Sequence, residues 1–492
     1  MAGGYKLFST GEVLTAANVN NYLMNQTVMV FASAAARTTA LSGVLAEGMI
    51  SYRSDAKVLE IYNGTTWVTE SSFVSPLTTK GDVHTYSTTD ARLGVGTTNQ
   101  TLIVDSTQTT GLKWAASPQS TLSAKGSLVS ASAANTLAEL TVGSDGQTLV
   151  ANSSQTTGLA YTNNFAAGKN KIINGDFNIN QRAFTSATTT GVYTFDRWLT
   201  TFVGGTVTYT PQVFTAGTAP VAGYESTNYI QIVTSGQTGT NFAEYHQKIE
   251  DVRSCAGKTV TISFWAKAAT GTPLMTSYIY QVLGTGGTGG NVQTNATAQT
   301  ITTSWARYSF TITVPSLSGK TVGTGSYSEL ALVVSDGGGD STGLGAVQNN
   351  TFSIWGVQVE QSGVSTAFQT ATGTLQGELA ACQRYYYRQI PSSGGRQGSG
   401  SCQSTTAAEI YFPFFTAMRI TPTALEQSGT AADYGVRNQN QNTNCSAVPV
   451  YNDASVAGAS VFFTVASGLT AGNAALFRAS NTSAYLGWSA EL

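Results

Sequence analysis

The stretch Gly257-Lys258-Thr259-Val260-Thr261-Ile262-Ser263-Phe264-Trp265-Ala266-Lys267 decides the fold. Val260, Ile262 and Phe264 alternate with Thr261, Ser263 and Trp265, the two-residue period of a strand with one buried face. β-branched and aromatic side chains at this density favour pleated strand over helix. The same alternation returns at Tyr308, Phe310, Ile312 and Val314, and again at Leu330, Leu332 and Val334. Gly-rich loops, Gly284 to Gly290 and Gly337 to Gly345, separate these runs without an intervening helical period. Residues 168–372 therefore read as two antiparallel sheets packed face to face.

Composition extends that reading to the whole chain. The 492 residues carry only 10% charged side chains, against about 25% in ordinary globular proteins. With 41% hydrophobic and 10% aromatic residues, the chain still has enough apolar surface to form cores, so low charge does not mean disorder here. The length suits several domains, since one core rarely exceeds about 250–300 residues. A net charge of −2 without a basic block argues against nucleic-acid binding, which rests on cations at phosphates. The most apolar stretch, Val28 to Ala36, falls far short of the roughly 18 residues of a membrane span. The N-terminus, with Lys6 followed by polar residues, has no signal-peptide pattern, and cytoplasmic assembly is expected. Cys255, Cys382, Cys402 and Cys445 form no CxxC pair and read as buried free thiols.

Outward from the sandwich, three further regions are legible. In residues 1–73, Thr15 caps a helix whose Val19, Tyr22 and Leu23 share a face. Strands at Met49 to Tyr52 and Val58 to Tyr62 follow, with Asn63-Gly64 turning the chain into Trp67-Val68. Residues 74–167 contain a repeat. Lys80-Gly81, Gln100-Thr101-Leu102 and Gln108-Thr109-Thr110-Gly111-Leu112 return as Lys125-Gly126, Gln147-Thr148-Leu149 and Gln155-Thr156-Thr157-Gly158-Leu159. Each copy has too few large apolar residues to close a core alone, so sister chains are expected to supply the rest. In residues 373–492, Leu375, Leu379 and Cys382 sit at helical spacing before a strand at Tyr385. Strands are expected at Glu409 to Phe415 and Ser460 to Val465, with polar loops at 392–402 and 428–446.

Several of these motifs resemble parts of bacteriophage tail fibres. The helix and the Tyr-rich hairpin ending in Asn63-Gly64-Thr65-Thr66-Trp67-Val68 are similar to an N-terminal tail-attachment segment. The repeat resembles a fibre-shaft element. Lys171-Ile172-Ile173-Asn174-Gly175-Asp176-Phe177, Phe195-Asp196-Arg197-Trp198, the Gly257–Lys267 run and Phe352-Ser353-Ile354-Trp355-Gly356-Val357 resemble, in that order, a carbohydrate-binding-module-like jelly roll. Glu378-Leu379-Ala380-Ala381-Cys382-Gln383-Arg384-Tyr385-Tyr386 looks like the segment that opens a C-terminal β-domain in such fibres. The resemblance implies a mostly β, elongated multi-domain homotrimer with a short N-terminal helix, a repeat-containing stalk, a jelly roll and a distal β-domain. Its implied partners are tail or baseplate proteins at one end and a host surface polysaccharide at the other, with the virion as its location. Alternatives are a purely structural virion fibre and a polysaccharide depolymerase tailspike.

His246 lies near Glu244 and Glu250 without a nucleophile motif, and reads as structural. The carboxylate pairs Asp176/Asp196, Glu250/Asp251 and Asp336/Asp340 are explained by turns and strand alternation, so no catalytic residue is assigned and no enzyme is expected. Asp336 with Asp340, or Asp176 with Glu360, offer oxygens to Ca²⁺, but Asn178 stands where the resemblance leads one to expect an acid, and no metal or cofactor is assigned. The Gly284–Gly290 run lacks a following GK[ST] and reads as a flexible loop rather than a phosphate cradle. For ligand binding, Trp265, Tyr278 and Tyr280 are the candidates, as aromatic rings pointing away from the core onto one open sheet surface. Trp198, Trp305 and Trp355 are assigned to the core.

Overall fold

The computed structural model describes residues 9–22, 27–70, 75–163, 168–221 and 224–492. The protein is mostly β, and among the described residues no helix is long and apolar enough to cross a membrane. The chain divides into two compact units, Met1–Thr141 and Val142–Leu492.

In the first unit a helix spans Ala16–Tyr22, and the Thr15 hydroxyl accepts from Asn18 N at 3.2 Å. Leu23, expected on the apolar face of this helix, lies outside the described residues. The Val28 to Ala36 stretch holds more structure than the sequence suggested. Met29–Phe31 pairs in parallel with Ile50–Arg53, and the crossover between them is a helix, Ala34–Ala40, capped by Ser33. Val58–Tyr62 and Trp67–Glu70 complete a four-stranded sheet. Buried Arg37 pairs with Glu60 and stacks on Trp67 at 4.2 Å.

The repeat folds as successive two-stranded hairpins. In the first unit these are Val83–Tyr86 with Asp90–Leu93, Gln100–Val104 with Leu112–Ala116, and Leu128–Ala133 with Thr136–Leu140. The second unit opens with Gln147–Ala151 paired to Leu159–Asn163. The two copies match in packing detail. The Trp114 ring lies so close to Gly96 that a Cβ there would fall 2.6 Å from it, and Tyr161 lies against Gly143 in the same way at 2.5 Å. Hairpins this small leave apolar side chains in solvent: Val95, Val104, Leu128 and Leu137 are all exposed, Val104 to 82%.

Beyond the last hairpin two sheets form a β-sandwich. The front sheet runs, in spatial order, Leu199–Val203, Phe242–Glu250, Tyr327–Asp336, Leu274–Val282 and Val292–Asn295, with Gln299–Thr300 also pairing Leu274–Val282. The back sheet runs Thr206–Val213, Asn228–Ser235, Thr351–Glu360, Thr259–Ala268 and Ala306–Thr313. From Asn228–Ser235 through Leu274–Val282 and again from Gln299–Thr300 to Thr351–Glu360, successive strands switch between sheets, as in a jelly roll. Val260, Ile262 and Phe264 from the back meet Tyr245, Ile279, Leu330 and Leu332 from the front in one fully buried core. Each such side chain contributes roughly 1.5–3 kcal/mol through burial.

The C-terminal region follows a helix, Leu375–Gln383, capped by Thr374. Tyr386–Gln389, Leu486–Ser489 and Glu426–Gln427 form a three-stranded sheet. A seven-stranded sheet contains Ala407–Pro413 and Gly458–Thr464, close to the expected strands. The segments expected as polar loops are largely strands instead: Arg396–Cys402, and the hairpin of Tyr434–Asn438 with Gln441–Asn444. Their Gly, Ser, Asn and Gln residues carry little hydrophobic signal, and their backbones are held by neighbouring strands rather than by their own side chains. All four cysteines are buried and unpaired.

Candidate functional site

Alternation along the front sheet divides its side chains between core and exterior. Tyr245 and Ile249 point inward, whereas Glu244, His246 and Lys248 lie on the outer face. On the neighbouring strand Leu330 and Leu332 are core, leaving Tyr327 and Glu329 outside. Register then sets His246, Ala331, Tyr278 and Asn295 in one row, and Lys248, Glu329, Tyr280 and Gln293 in the next.

A buried cluster of three side chains, Glu244, His246 and Glu329, joins the two rows. His246 Nε2 lies 2.6 Å from Glu244 Oε2, and its Nδ1 lies 2.6 Å from Glu329 Oε1. The Tyr278 hydroxyl sits 2.9 Å from Glu244 Oε2 and 3.2 Å from Asp340 Oδ2. Burial alone would depress the imidazolium, but its two carboxylate partners outweigh burial and lift the His246 pKa to about 9. Burial raises Glu244 above the usual carboxylate range, whereas at Glu329 the His246 bond overcomes burial and lowers it.

This arrangement has a testable pH signature. The unfolded imidazole titrates near 6.5 and the native one near 9, so the native state holds the proton more tightly. The resulting stability, about 3 kcal/mol, is present in full below the unfolded value and is lost as pH rises through the native one. Thermal unfolding of the wild-type chain should therefore fall in midpoint between pH 6.5 and 9.5, and His246→Gln should flatten that slope.

Asp336 organises the loop over this row. Its carboxylate accepts from Gly338 N at 2.8 Å, Thr342 N at 3.0 Å and Thr342 Oγ1 at 2.6 Å. The loop seats Leu344 against Tyr278, Ala331 and Val333. Tyr278 is therefore 4% exposed, while Tyr280 and Tyr327 remain half-buried on the open part of the face. Lys248 Nζ stands 4.8 Å from the Tyr327 ring centre and donates to the Leu492 carbonyl at 2.7 Å. Gln293 and Asn295 add amide groups along the rim.

The expected trio does not form one surface. Tyr278 and Tyr280 share the front sheet, but Trp265 belongs to the back sheet. Trp265 is wedged between Trp355 at 5.3 Å, Phe368 at 6.2 Å and the Arg307 guanidinium at 4.7 Å. Gly356, at φ 67°, leaves the space into which Trp265 packs, since a Cβ there would fall 2.8 Å from its ring. Strand alternation placed the three rings off the central core, but Tyr278 is buried in a small core of its own under the Leu344 loop and is not on an open surface. Alternation also carries no information about which sheet a strand joins. Trp198 and Trp355 are fully buried as expected. Trp305 is only half-buried, lying on the outer face of the back sheet. Sequence reasoning missed Tyr327 and Glu329, although the alternation in Tyr327-Ser328-Glu329-Leu330-Ala331-Leu332 would have set both outside.

Asp336 and Asp340 stay together in one loop, with Asp340 N donating to Asp336 Oδ1 at 3.3 Å, while the other carboxylates have partners of their own. Glu250 is held by Arg384 at 2.9 Å, while Asp251, at φ 65°, accepts from Arg253 N. Asp176 accepts from Asn178 at 2.7 Å and Asp196 from the Gln181 amide at 2.8 Å, with burial lifting each to about 6. Glu360 accepts from Thr366 N at 2.8 Å and Thr366 Oγ1 at 2.7 Å. Among the described residues no group of three or more His, Cys, Asp or Glu is placed to hold a metal ion. The Gly284–Gly290 loop is pinned rather than free, through bridges of Thr285 to Thr324 and Thr288 to Thr321.

No protein family and no curated protein matches this sequence. Among solved structures, the chain is similar to the CBM22-1 xylan-binding domain of Paenibacillus barcinonensis Xyn10C. That match has 16% identity and TM-score 0.24, and covers 41% of this chain and all of that domain. It is also similar to the family 11 carbohydrate-binding module of Clostridium thermocellum, solved with a mixed-linked tetrasaccharide. There identity is 12% and TM-score 0.23, over 37% of this chain and 98% of that module. A third likeness, to the C-terminal family 22 module of Clostridium thermocellum Xyn10B, has 15% identity and TM-score 0.22, over 36% of this chain and 94% of that one.

Proposed function

We propose that this chain is a bacteriophage tail-fibre subunit. In this reading it assembles as a homotrimer in the host cytoplasm, joins the virion through its N-terminal region, and holds a host surface polysaccharide without cleaving it. One observation carries the glycan reading: Tyr280 and Tyr327 stand half-exposed on a rigid sheet, beside the amides of Gln293 and Asn295. Aromatic rings stack on the apolar faces of sugars, and amides complete their hydroxyl hydrogen bonds. The salt-linked Glu244–His246–Glu329 group ties the Tyr327 strand to its neighbour Phe242–Glu250, so the sheet that carries the rings is ordered before a ligand arrives, which reduces the ordering cost of binding.

The fibre reading is supported by the sequence resemblance of the attachment segment, the repeat and the Glu378–Tyr386 stretch. Exposed apolar residues on the repeat hairpins support association with further copies of the chain. Three weak sites on one particle bind a repetitive polysaccharide by avidity, so each need hold its sugar only at millimolar strength. The test is solution mass and envelope binding of the full-length chain. A mass three times that of one chain, with retention on host envelope polysaccharide and no release of reducing ends, is the expected result. A folded monomer would refute the trimer. Failure to bind susceptible cells would refute the adhesion role, and new reducing ends would refute the non-enzymatic one.

A further inference from the structure

The outer face of the back sheet is built differently from that of the front. Trp305 meets Tyr229 edge-on, with ring centres 5.4 Å apart at 90°, and Phe214 packs against both at 5.6 and 4.7 Å. Register sets Lys267 opposite Ser353, and Ser353 opposite Gln231. The Lys267 ammonium stands 5.3 Å from the Trp305 ring centre and has no carboxylate partner among the described residues. Trp305, Tyr229, Lys267 and Gln231 are each partly exposed. The Arg307 guanidinium stands over Trp265 on the same sheet. Glu360, on the same strand face, is buried and taken up by Thr366 and Lys169.

The two exteriors therefore differ in sign. The front face carries Glu244, Glu329 and Asp340 against His246 and Lys248, with Lys248 committed to the Leu492 carbonyl. The back face presents a half-exposed aromatic corner with an unpaired ammonium. Resting on the reading of the chain as a glycan binder, we propose that the back sheet is a second glycan-contact surface, and that it takes sugars bearing a carboxylate or sulfate. Trp305 and Tyr229 supply the stacking surface, Gln231 an amide for hydroxyls, and Lys267 the counter-charge. A ring-stacked sugar next to Lys267 brings its acidic group to a partly desolvated cation, where the pair is worth more than in open water.

The test uses the full-length chain with two probes, a galacturonic acid hexasaccharide and a neutral glucan hexasaccharide, measured by calorimetry. The acidic probe should bind with an affinity that falls as salt rises. Lys267→Gln and Trp305→Ala should each weaken it about tenfold or more, while Tyr280→Ala leaves it unchanged. The neutral probe should show the opposite sensitivity. Lys267→Gln removes a partly exposed charge that has no ion-pair partner among the described residues, so an unchanged melting temperature confirms that its effect is on binding even where Trp305→Ala unfolds. Acidic binding that ignores Lys267→Gln, or that is lost in Tyr280→Ala, overturns this inference and leaves the front-face reading standing. Neutral binding through Tyr280 without any acidic binding does the same. Binding of neither probe overturns both.

Discussion

Arg197→Ala should unfold the Val142–Leu492 unit more readily than any surface change, at a cost of about 3–5 kcal/mol. Arg197 is 1% exposed and pairs with Glu491, which comes from 294 positions away. Its guanidinium also stacks on the Tyr385 ring at 3.5 Å and donates to the Lys248 carbonyl at 2.5 Å. Among the described residues, truncation would leave the buried Glu491 carboxylate with Arg182 alone at 3.5 Å, and would remove one of the contacts that tie the sandwich to the C-terminal strands. Much of that cost is the unpaired charge rather than the lost bond. The double variant Arg197→Met with Glu491→Gln should therefore recover most of the stability. Denaturant unfolding followed by tryptophan fluorescence measures both, and a double variant as unstable as Arg197→Ala would show that packing, not charge, dominates.

The second large effect concerns the front face. Removing one ring from a two-ring platform should weaken a bound neutral oligosaccharide about tenfold, or about 1.4 kcal/mol, and removing both should abolish measurable single-site binding. Tyr280→Ala and Tyr327→Ala are suited to this because both rings are half-exposed and neither belongs to the main core, so folding should survive. Tyr278→Phe serves as the contrast. Its ring lies under the loop that carries Leu344, and its hydroxyl faces Glu244 and Asp340, so its loss should alter stability rather than affinity. Equal loss of binding in Tyr278→Phe and Tyr280→Ala would place the ligand beneath the loop instead.

Within a strand, local chemistry was a reliable guide. Val260, Ile262 and Phe264 are buried and Trp265 lies on the other side, because side chains of a pleated strand must alternate. The Thr15 cap was legible in position, since its partner lies three residues on, whereas the Thr374 cap was not read from the sequence. The repeat was legible too, and its two copies fold into matching hairpins. Polar strands such as Arg396–Cys402 escaped notice because their pairing depends on neighbours distant in sequence. The same is true of the helix Ala34–Ala40, whose short Ala- and Thr-rich run carries no strong apolar period.

What the sequence determined by itself was the period-two pattern, and with it which side chains of each strand face the core. Which sheet each strand joins was decided only in three dimensions, and this parted Trp265 from Tyr278 and Tyr280. The ion pairs were decided there as well: His246 meets Glu329 across 83 positions, and Arg197 meets Glu491 across 294. The physical reason is range. Backbone geometry and side-chain alternation act between adjacent residues, whereas burial of a charge is tolerable only where the completed fold brings a partner within hydrogen-bonding distance.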